Sequence, residues 1–281
     1  MSGAAFRAGL VQLTASDDPE ANLAATRGLV ARAVEEGAAL VLTPEVTNCV
    51  SASRSRQREV LRSEGEDSTL AALREDAARH GVWLSIGSLA LRTDDPEGRF
   101  ANRSFLVAPD GAVAARYDKI HMFDVAVSAE ETYRESAGYR PGDRAMVADT
   151  ALGRIGMTVC YDVRFPGLYR KLAQAGAEVL TVPSAFSPVT GAAHWEPLLR
   201  ARAIETGAWV LAPAQCGRHA AVQGRERRTH GHSLAVDPWG AVVADAGEAP
   251  GVTVVEVDLG AVAEARRRVP SLTHDRAYEG P

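Results

Sequence analysis

Several features are scarce in this sequence, and each scarcity closes off a class of protein. There are only 3 cysteines in 281 residues, at positions 49, 160 and 216. An odd number cannot all pair, and their spacing fits neither a disulfide framework nor a zinc site. A reducing compartment, the cytoplasm, is therefore expected. No run of about 18 apolar residues occurs, so no membrane-spanning helix is expected. The short apolar stretch from Ala8 to Leu13 runs straight into acidic residues and lacks a signal-peptide pattern. Basic residues are not in excess: 31 Lys and Arg stand against 36 Asp and Glu, for a net charge of −5. With no basic block carrying interleaved aromatics, nucleic acid is not an expected partner. His219, His230 and His232 lack ligand spacing with any carboxylate or thiol, so no metal site is expected.

The chain also lacks any linker rich in Pro, Gly or Ser and any residue-level repeat. With 46% hydrophobic and 24% charged residues it can bury a large core. One domain over residues 1–281 is expected, with an irregular tail from about 269. Strands and helices alternate early, and hairpins are interspersed, which predicts an α/β fold of sheets covered by helices. Phe6–Thr14 reads as a strand, and Ala21–Glu36 as a helix closed by Gly37. The wholly apolar run 39–42 reads as a strand covered on both faces. Residues 48–66, with Arg54, Arg56, Arg58 and Arg62, read as a surface segment or lid whose arginines form a solvated face, with a role in drawing in anionic substrate as the sharper alternative. Pro109-Asp110-Gly111 marks a hairpin turn. Residues 123–144 form a long loop holding Glu130, Glu131 and Glu135, and 215–230 a polar loop. A helix is expected over His194–Thr206.

The centre of the sequence is Ile155–Val159, a buried strand running into Cys160-Tyr161-Asp162-Val163-Arg164-Phe165-Pro166, with a helix opening at Pro166. A thiol at the carboxyl end of a strand sits beside backbone N–H groups that can hold an oxyanion. Glu45 and Lys119 occupy the same setting, each at the end of an apolar strand. In layered α/β folds such ends converge on one edge, where ligands bind. Together they supply a base, a cation and a nucleophile.

Thr43-Pro44-Glu45, Asp118-Lys119-Ile120-His121 and Val159–Pro166 resemble, in order, the three catalytic motifs of the nitrilase superfamily of carbon–nitrogen hydrolases. The resemblance runs from Phe6 to about Arg276. It implies a four-layer α-β-β-α sandwich, a homodimer or higher homo-oligomer, and no cofactor. It also implies Cys160 as nucleophile, Glu45 as general base, Lys119 as oxyanion stabiliser, and Glu135 as a second glutamate that orients the lysine and the substrate. Further stretches (residues 190–196, 199–205, 214–219 and 231–240) are similar to the branch that cleaves deaminated glutathione to 2-oxoglutarate and cysteinylglycine. Close relatives in that branch act on 2-oxoglutaramate as ω-amidases.

Tyr161, through its N–H, together with Arg164, Ser184, Phe186 and His194, are further candidates for oxyanion or substrate contacts. A 2-oxo acid carboxylate calls for a cationic anchor. Arg164 and Arg218 are the candidates for it, although Arg164 also suits a pairing with Asp162 that supports the turn. Cys49 and Cys216 read as buried small residues. The segment Asp124–Glu131 departs from the resembling pattern by lacking an acid and a Pro-Gly. Three alternatives stand beside an amidase for small amides: a nitrile or other small-amide hydrolase, a Cys-His hydrolase using His121, and a catalytically lapsed binding or scaffold protein.

Overall fold

The computed structural model describes residues 5–127 and 132–280. The first half contains β1 (Ala5–Gln12), α1 (Pro19–Glu35), β2 (Leu40–Leu42), α2 (Arg54–Val60), α3 (Ser68–His80), β3 (Trp83–Leu91), β4 (Ala101–Val107) and β5 (Val113–Asp118). A short hairpin follows, β6 (Asp124–Ala126) and β7 (Thr132–Arg134). Next come β8 (Met146–Thr150), β9 (Gly153–Met157), α4 (Pro166–Gln174), β10 (Val179–Thr181), α5 (Pro188–Thr206) and β11 (Trp209–Ala212). A second hairpin, β12 (Cys216–His219) and β13 (Arg227–His230), precedes β14 (Leu234–Val236), β15 (Val242–Asp245), β16 (Gly251–Asp258) and α6 (Leu259–Arg268).

Two six-stranded sheets result, ordered β16-β1-β2-β3-β4-β5 and β15-β14-β11-β10-β9-β8. Followed from β16 and from β8, both show the same succession of pairings: one antiparallel, two parallel, two antiparallel. Side chains on β2 explain the layering. Leu40 and Leu42 enter the core shared by the two sheets, and Val41 enters the core beneath α1 and α3. A strand covered on both faces is apolar at every position, as the run 39–42 is. Helices α4 and α5 cover the second sheet, which completes the four-layer α-β-β-α sandwich. Each aliphatic side chain buried this way stabilises the fold by about 1.5–3 kcal/mol.

Several segments differ from expectation for local reasons. Residues 48–66 are not a solvated face: they contain α2, and Cys49, Val50, Gln57 and Leu61 are buried. The long loop 123–144 carries the β6–β7 hairpin and a 3-10 turn at Glu135–Ala137. Glu130 and Glu131, with the end of the divergent Asp124–Glu131 segment, lie outside the described residues. The 215–230 loop folds as the β12–β13 hairpin. Helix α5 starts at Pro188, six residues before His194, because Ser187 caps it and proline suits the first helical position.

The segments that follow β2 and β10 both crowd against Gly87 on β3. A Cβ there would lie 1.8 Å from the Thr43 carbonyl oxygen, 2.5 Å from Pro183 Cβ and 2.8 Å from the Pro44 carbonyl oxygen. Its N–H donates to Thr43 Oγ1 (3.1 Å), and its carbonyl accepts from Ser104 Oγ. Only a residue without a side chain lets the ends of β2 and β10 approach this closely. Gly87→Ala is expected to cost about 3 kcal/mol or more in chemical denaturation, since backbone atoms must move to admit the methyl group. Gly28→Ala is the control. It sits mid-helix in α1 with nothing within 4 Å of its Cβ position, and should be neutral or slightly stabilising.

Candidate active site

Four side chains converge where the strands of both sheets end. Glu45 follows β2 in the first sheet. It sits in a turn pinned by Thr47 Oγ1 donating to the Pro44 carbonyl (2.7 Å) and by the Val46 N–H donating to Ser88 Oγ (2.8 Å). Val46 itself has φ of 47°, a left-handed conformation that is strained for a β-branched residue. Lys119 follows β5. Alternation along that strand places it with Ala115 and Tyr117, on the face toward the second sheet. Cys160 follows β9 in the second sheet, also left-handed, with φ of 48°. Glu135 arrives from the 3-10 turn after β7.

The polar set is dry and closely bonded. Lys119 Nζ donates to Glu45 Oε1 (2.9 Å) and to both oxygens of Glu135 (3.0 and 2.8 Å). Lys119 is 2% exposed and Glu45 is 5% exposed, so each charge needs its partner. Asn102 Nδ2 bridges the carboxylates, 2.9 Å from Glu45 Oε1 and 3.3 Å from Glu135 Oε1. The Ala185 N–H donates to Glu45 Oε2 (2.9 Å), and the Phe123 N–H donates to Glu135 Oε2 (2.6 Å). Cys160 lines the same cavity as these residues, and its thiol and the Glu45 carboxylate each shift the other's ionisation.

Charge states follow from these contacts. Burial alone would raise the Glu45 carboxyl; the Lys119 ammonium, with hydrogen bonds from Lys119 and Asn102 and the Cys160 thiol nearby, holds it below the usual carboxylate range. Burial alone would lower Lys119; Glu135 and Glu45 hold it well above its ordinary value. Burial, and then the Glu45 charge, push the Cys160 thiol up, so it rests protonated at neutral pH.

Asp162, wholly buried, shapes the nucleophile turn. It accepts from the Val159 N–H (2.9 Å), Tyr117 Oη (2.7 Å) and the His121 N–H (3.0 Å), and it lies 2.7 Å from His121 Nδ1. His121 also stacks on Phe165, with ring centroids 3.5 Å apart. This histidine therefore faces Asp162.

The cavity in front of Cys160 has a volume of about 260 Å³. Of the further candidates from sequence, Tyr161 and Phe186 line it. Ser184, Arg164 and His194 do not. Ser184 is buried and donates to the Val182 carbonyl (3.0 Å). Arg164 does not support the turn through Asp162; its Nη2 lies 3.2 Å from Nδ1 of the exposed His194. Arg218 is 71% exposed and paired with Glu226. Cys49 and Cys216 are buried as expected, and Cys49 lines the cavity with its thiol pushed up to about 12 by burial and Asp17. Of the arginines in segment 48–66, Arg54 lines the cavity; sequence reasoning missed Asn102 and Arg227. Asn102 had a signal: with Ser104 and Leu106 it alternates on one face of an otherwise apolar strand.

A family profile described as carbon-nitrogen hydrolase matches residues 7–267 of this chain. A deaminated glutathione amidase of Yersinia enterocolitica is 41% identical over 268 residues, covering 95% of this chain and 92% of that protein. The crystal structure of Caenorhabditis elegans NitFhit superposes with a TM-score of 0.90 at 35% identity, covering 98% of this chain and 66% of that one. Saccharomyces cerevisiae Nit3, a member of branch 10 of the nitrilase superfamily, superposes with a TM-score of 0.85 at 30% identity, covering 99% of this chain and 98% of that one.

The ion cluster generates a pH-dependent prediction. In the wild type, the stability that Glu45 contributes is present above the ordinary carboxylate pKa and is lost as pH falls through its lowered value. Lys119→Met leaves the buried Glu45 carboxylate without its cation, at a cost of about 3–5 kcal/mol near neutral pH. That deficit should shrink toward pH ~4.5, where Glu45, raised by burial once the ammonium is gone, can neutralise. Melting temperatures of both forms measured from pH 8 to pH 4.5 check this; a deficit independent of pH contradicts it.

Proposed function

Because this chain belongs to the carbon–nitrogen hydrolase family, whose reaction is hydrolysis of C–N bonds other than peptide bonds, we propose that it is an amidase that cleaves deaminated glutathione to 2-oxoglutarate and cysteinylglycine. The observation that carries this reading is the buried Glu45–Lys119–Glu135 cluster, bonded through Lys119, in the wall of the same open cavity as the Cys160 thiol.

A protonated resting thiol needs its base during attack, so Glu45 takes the proton as Cys160 Sγ bonds to the amide carbon. The Lys119 ammonium lowers the cost of the thiolate charge that this transfer develops. The carbonyl oxygen becomes an oxyanion, stabilised by Lys119 and by the Tyr161 N–H. Collapse of this intermediate breaks the C–N bond. Glu45 returns its proton to the leaving amine, and the acyl group stays on Cys160 as a thioester. Glu45 then takes a proton from water as its oxygen attacks the thioester. The C–S bond breaks, the acid leaves, and the proton goes back to Cys160. Glu135 and Asn102 keep Lys119 and Glu45 in register throughout.

A second reading, ω-amidase action on 2-oxoglutaramate, uses the same acyl half. The cavity favours the larger substrate: its lining includes exposed Thr132, Arg134 and Arg225, so the amine half can extend toward solvent. A Cys-His mechanism is disfavoured by the engagement of His121 with Asp162. We also infer that residues 1–281 act as one domain, in the cytoplasm, as a homodimer or larger assembly. Exposed Val189, Ile204 and Trp239 supply apolar surface of the kind that a subunit contact covers.

Release of 2-oxoglutarate, with deaminated glutathione and 2-oxoglutaramate supplied separately, tests the reading. We expect kcat/KM at least about tenfold higher on deaminated glutathione. Cys160→Ala should lower kcat by about 10⁴-fold or more. Preference for 2-oxoglutaramate would move the assignment to ω-amidase, and no product from either would overturn the substrate.

A further inference from the structure

Many arginines in this protein are paired with carboxylates: Arg103 binds Asp118 and Glu64, Arg56 binds Glu59, Arg27 binds Asp76, and Arg218 binds Glu226. Four arginines line the cavity beside Cys160; Arg134 and Arg225 are exposed, and Arg54 and Arg227 are half-buried. Arg54 donates through Nη1 to Gln57 Oε1 (2.7 Å), and its guanidinium carbon lies 5.1 Å from the centre of the Tyr139 ring. Arg227 lies over Tyr133 at 5.9 Å, and its buried Nε has no hydrogen-bond partner among the described residues. Neither forms an ion pair with a carboxylate among those residues. A buried guanidinium nitrogen left without an acceptor is costly, and an anionic ligand removes that cost.

The chain brings these two arginines to one cavity by a specific tie. The wholly buried Asp17 accepts from the Val222 N–H (2.9 Å to each oxygen) and the Gln223 N–H (3.3 Å). Gln223 Oε1 accepts from Ser53 Oγ (3.1 Å) and Ser55 Oγ (3.0 Å). Residues 222–224, which lead into β13 and Arg227, are thereby fastened to the start of α2, where Arg54 sits.

We propose that Arg54 and Arg227 are the specificity residues for the acyl half of the substrate. On this reading they bind a free carboxylate carried by the acyl chain whose amide carbon meets Cys160. The enzyme then selects monoamides of short dicarboxylic acids over neutral amides of equal length. This rests on the amidase reading above and assigns the anchor to residues remote in sequence from the nucleophile. Guanidinium donors match a carboxylate in a planar, two-bond geometry that a lysine cannot reproduce.

Steady-state kinetics on glutaramate and on its methyl ester, equal in chain length and differing in charge, test this. Wild type should favour glutaramate. Arg227→Met and Arg54→Met should each lower kcat/KM on glutaramate about 10–100-fold more than on the ester, mainly through KM, in line with the loss of a charge-assisted hydrogen bond. Arg227→Lys should recover only part of the loss, and Arg218→Met, outside the cavity, should change neither substrate. Equal losses on both substrates would mean that the arginines act structurally and would overturn the proposal, as would a wild type indifferent to the charge. A binding measurement keeps the proposal separate from the amidase reading. Calorimetric titration with 2-oxoglutarate should show at least about tenfold weaker binding to Arg227→Met than to wild type. Arginine-dependent binding without turnover of any amide would sink the amidase reading and leave the anchor standing. Equal binding by both forms would sink the anchor.

Discussion

One ammonium between two carboxylates is the constraint on which this structure turns. Lys119 is buried, and so is Glu45, and neither charge could remain in the core without the other. Their contact, completed by Glu135 and Asn102, ties together the ends of β2, β4 and β5 and the turn after β7. Second-sheet backbone joins through the Ala185 N–H on Glu45. The cluster is therefore a joint between layers as well as a chemical site. A strained backbone at Val46 and Cys160 survives because such contacts over-determine it.

The two sheets share one succession of parallel and antiparallel pairings, although no residue-level repeat is visible in the chain. Their contributions to the site are nevertheless unequal. The first sheet supplies Glu45 and, from β5, Lys119. The second supplies Cys160 and the backbone N–H groups beside it. Gly87 marks the place where both must come within contact distance, and its missing side chain is what allows it.

Much of the fold, and the meeting of Glu45, Lys119 and Cys160 at one cavity, was legible in the sequence. Glu45, Lys119 and Cys160 announced themselves because each ends an apolar strand, a signal that lies within a few consecutive residues. The run 39–42 and the turns at Gly37 and Gly111 were legible for the same reason: strand, cap and turn chemistry is local. What was not legible depends on contacts between distant segments. The extent of α5 escaped because its entry is set by Ser187 and Pro188 rather than by apolar periodicity. The burial of Gln57 escaped because its cover lies far along the chain, at Tyr139, whose hydroxyl accepts from its amide. The pairing of cavity arginines escaped most completely: Arg54 and Arg227 are 173 positions apart in the chain, and the grip of Asp17 on residues 222–223, with that of Gln223 on Ser53 and Ser55, unites them. Arg164, close to the nucleophile in sequence, turns instead to His194.

The division of the reacting groups between two sheets bears on the safety of the unfolded and half-folded chain. A nascent first half carries a base and a lysine but no thiol positioned to use them. A second half alone carries a thiol that lacks its base. Reactivity is thus withheld until the layers stack, and a chain caught partway through synthesis presents no competent nucleophile to the amides around it. Chemical competence in this architecture is a property of the closed sandwich, and it arrives with the last act of folding rather than before it.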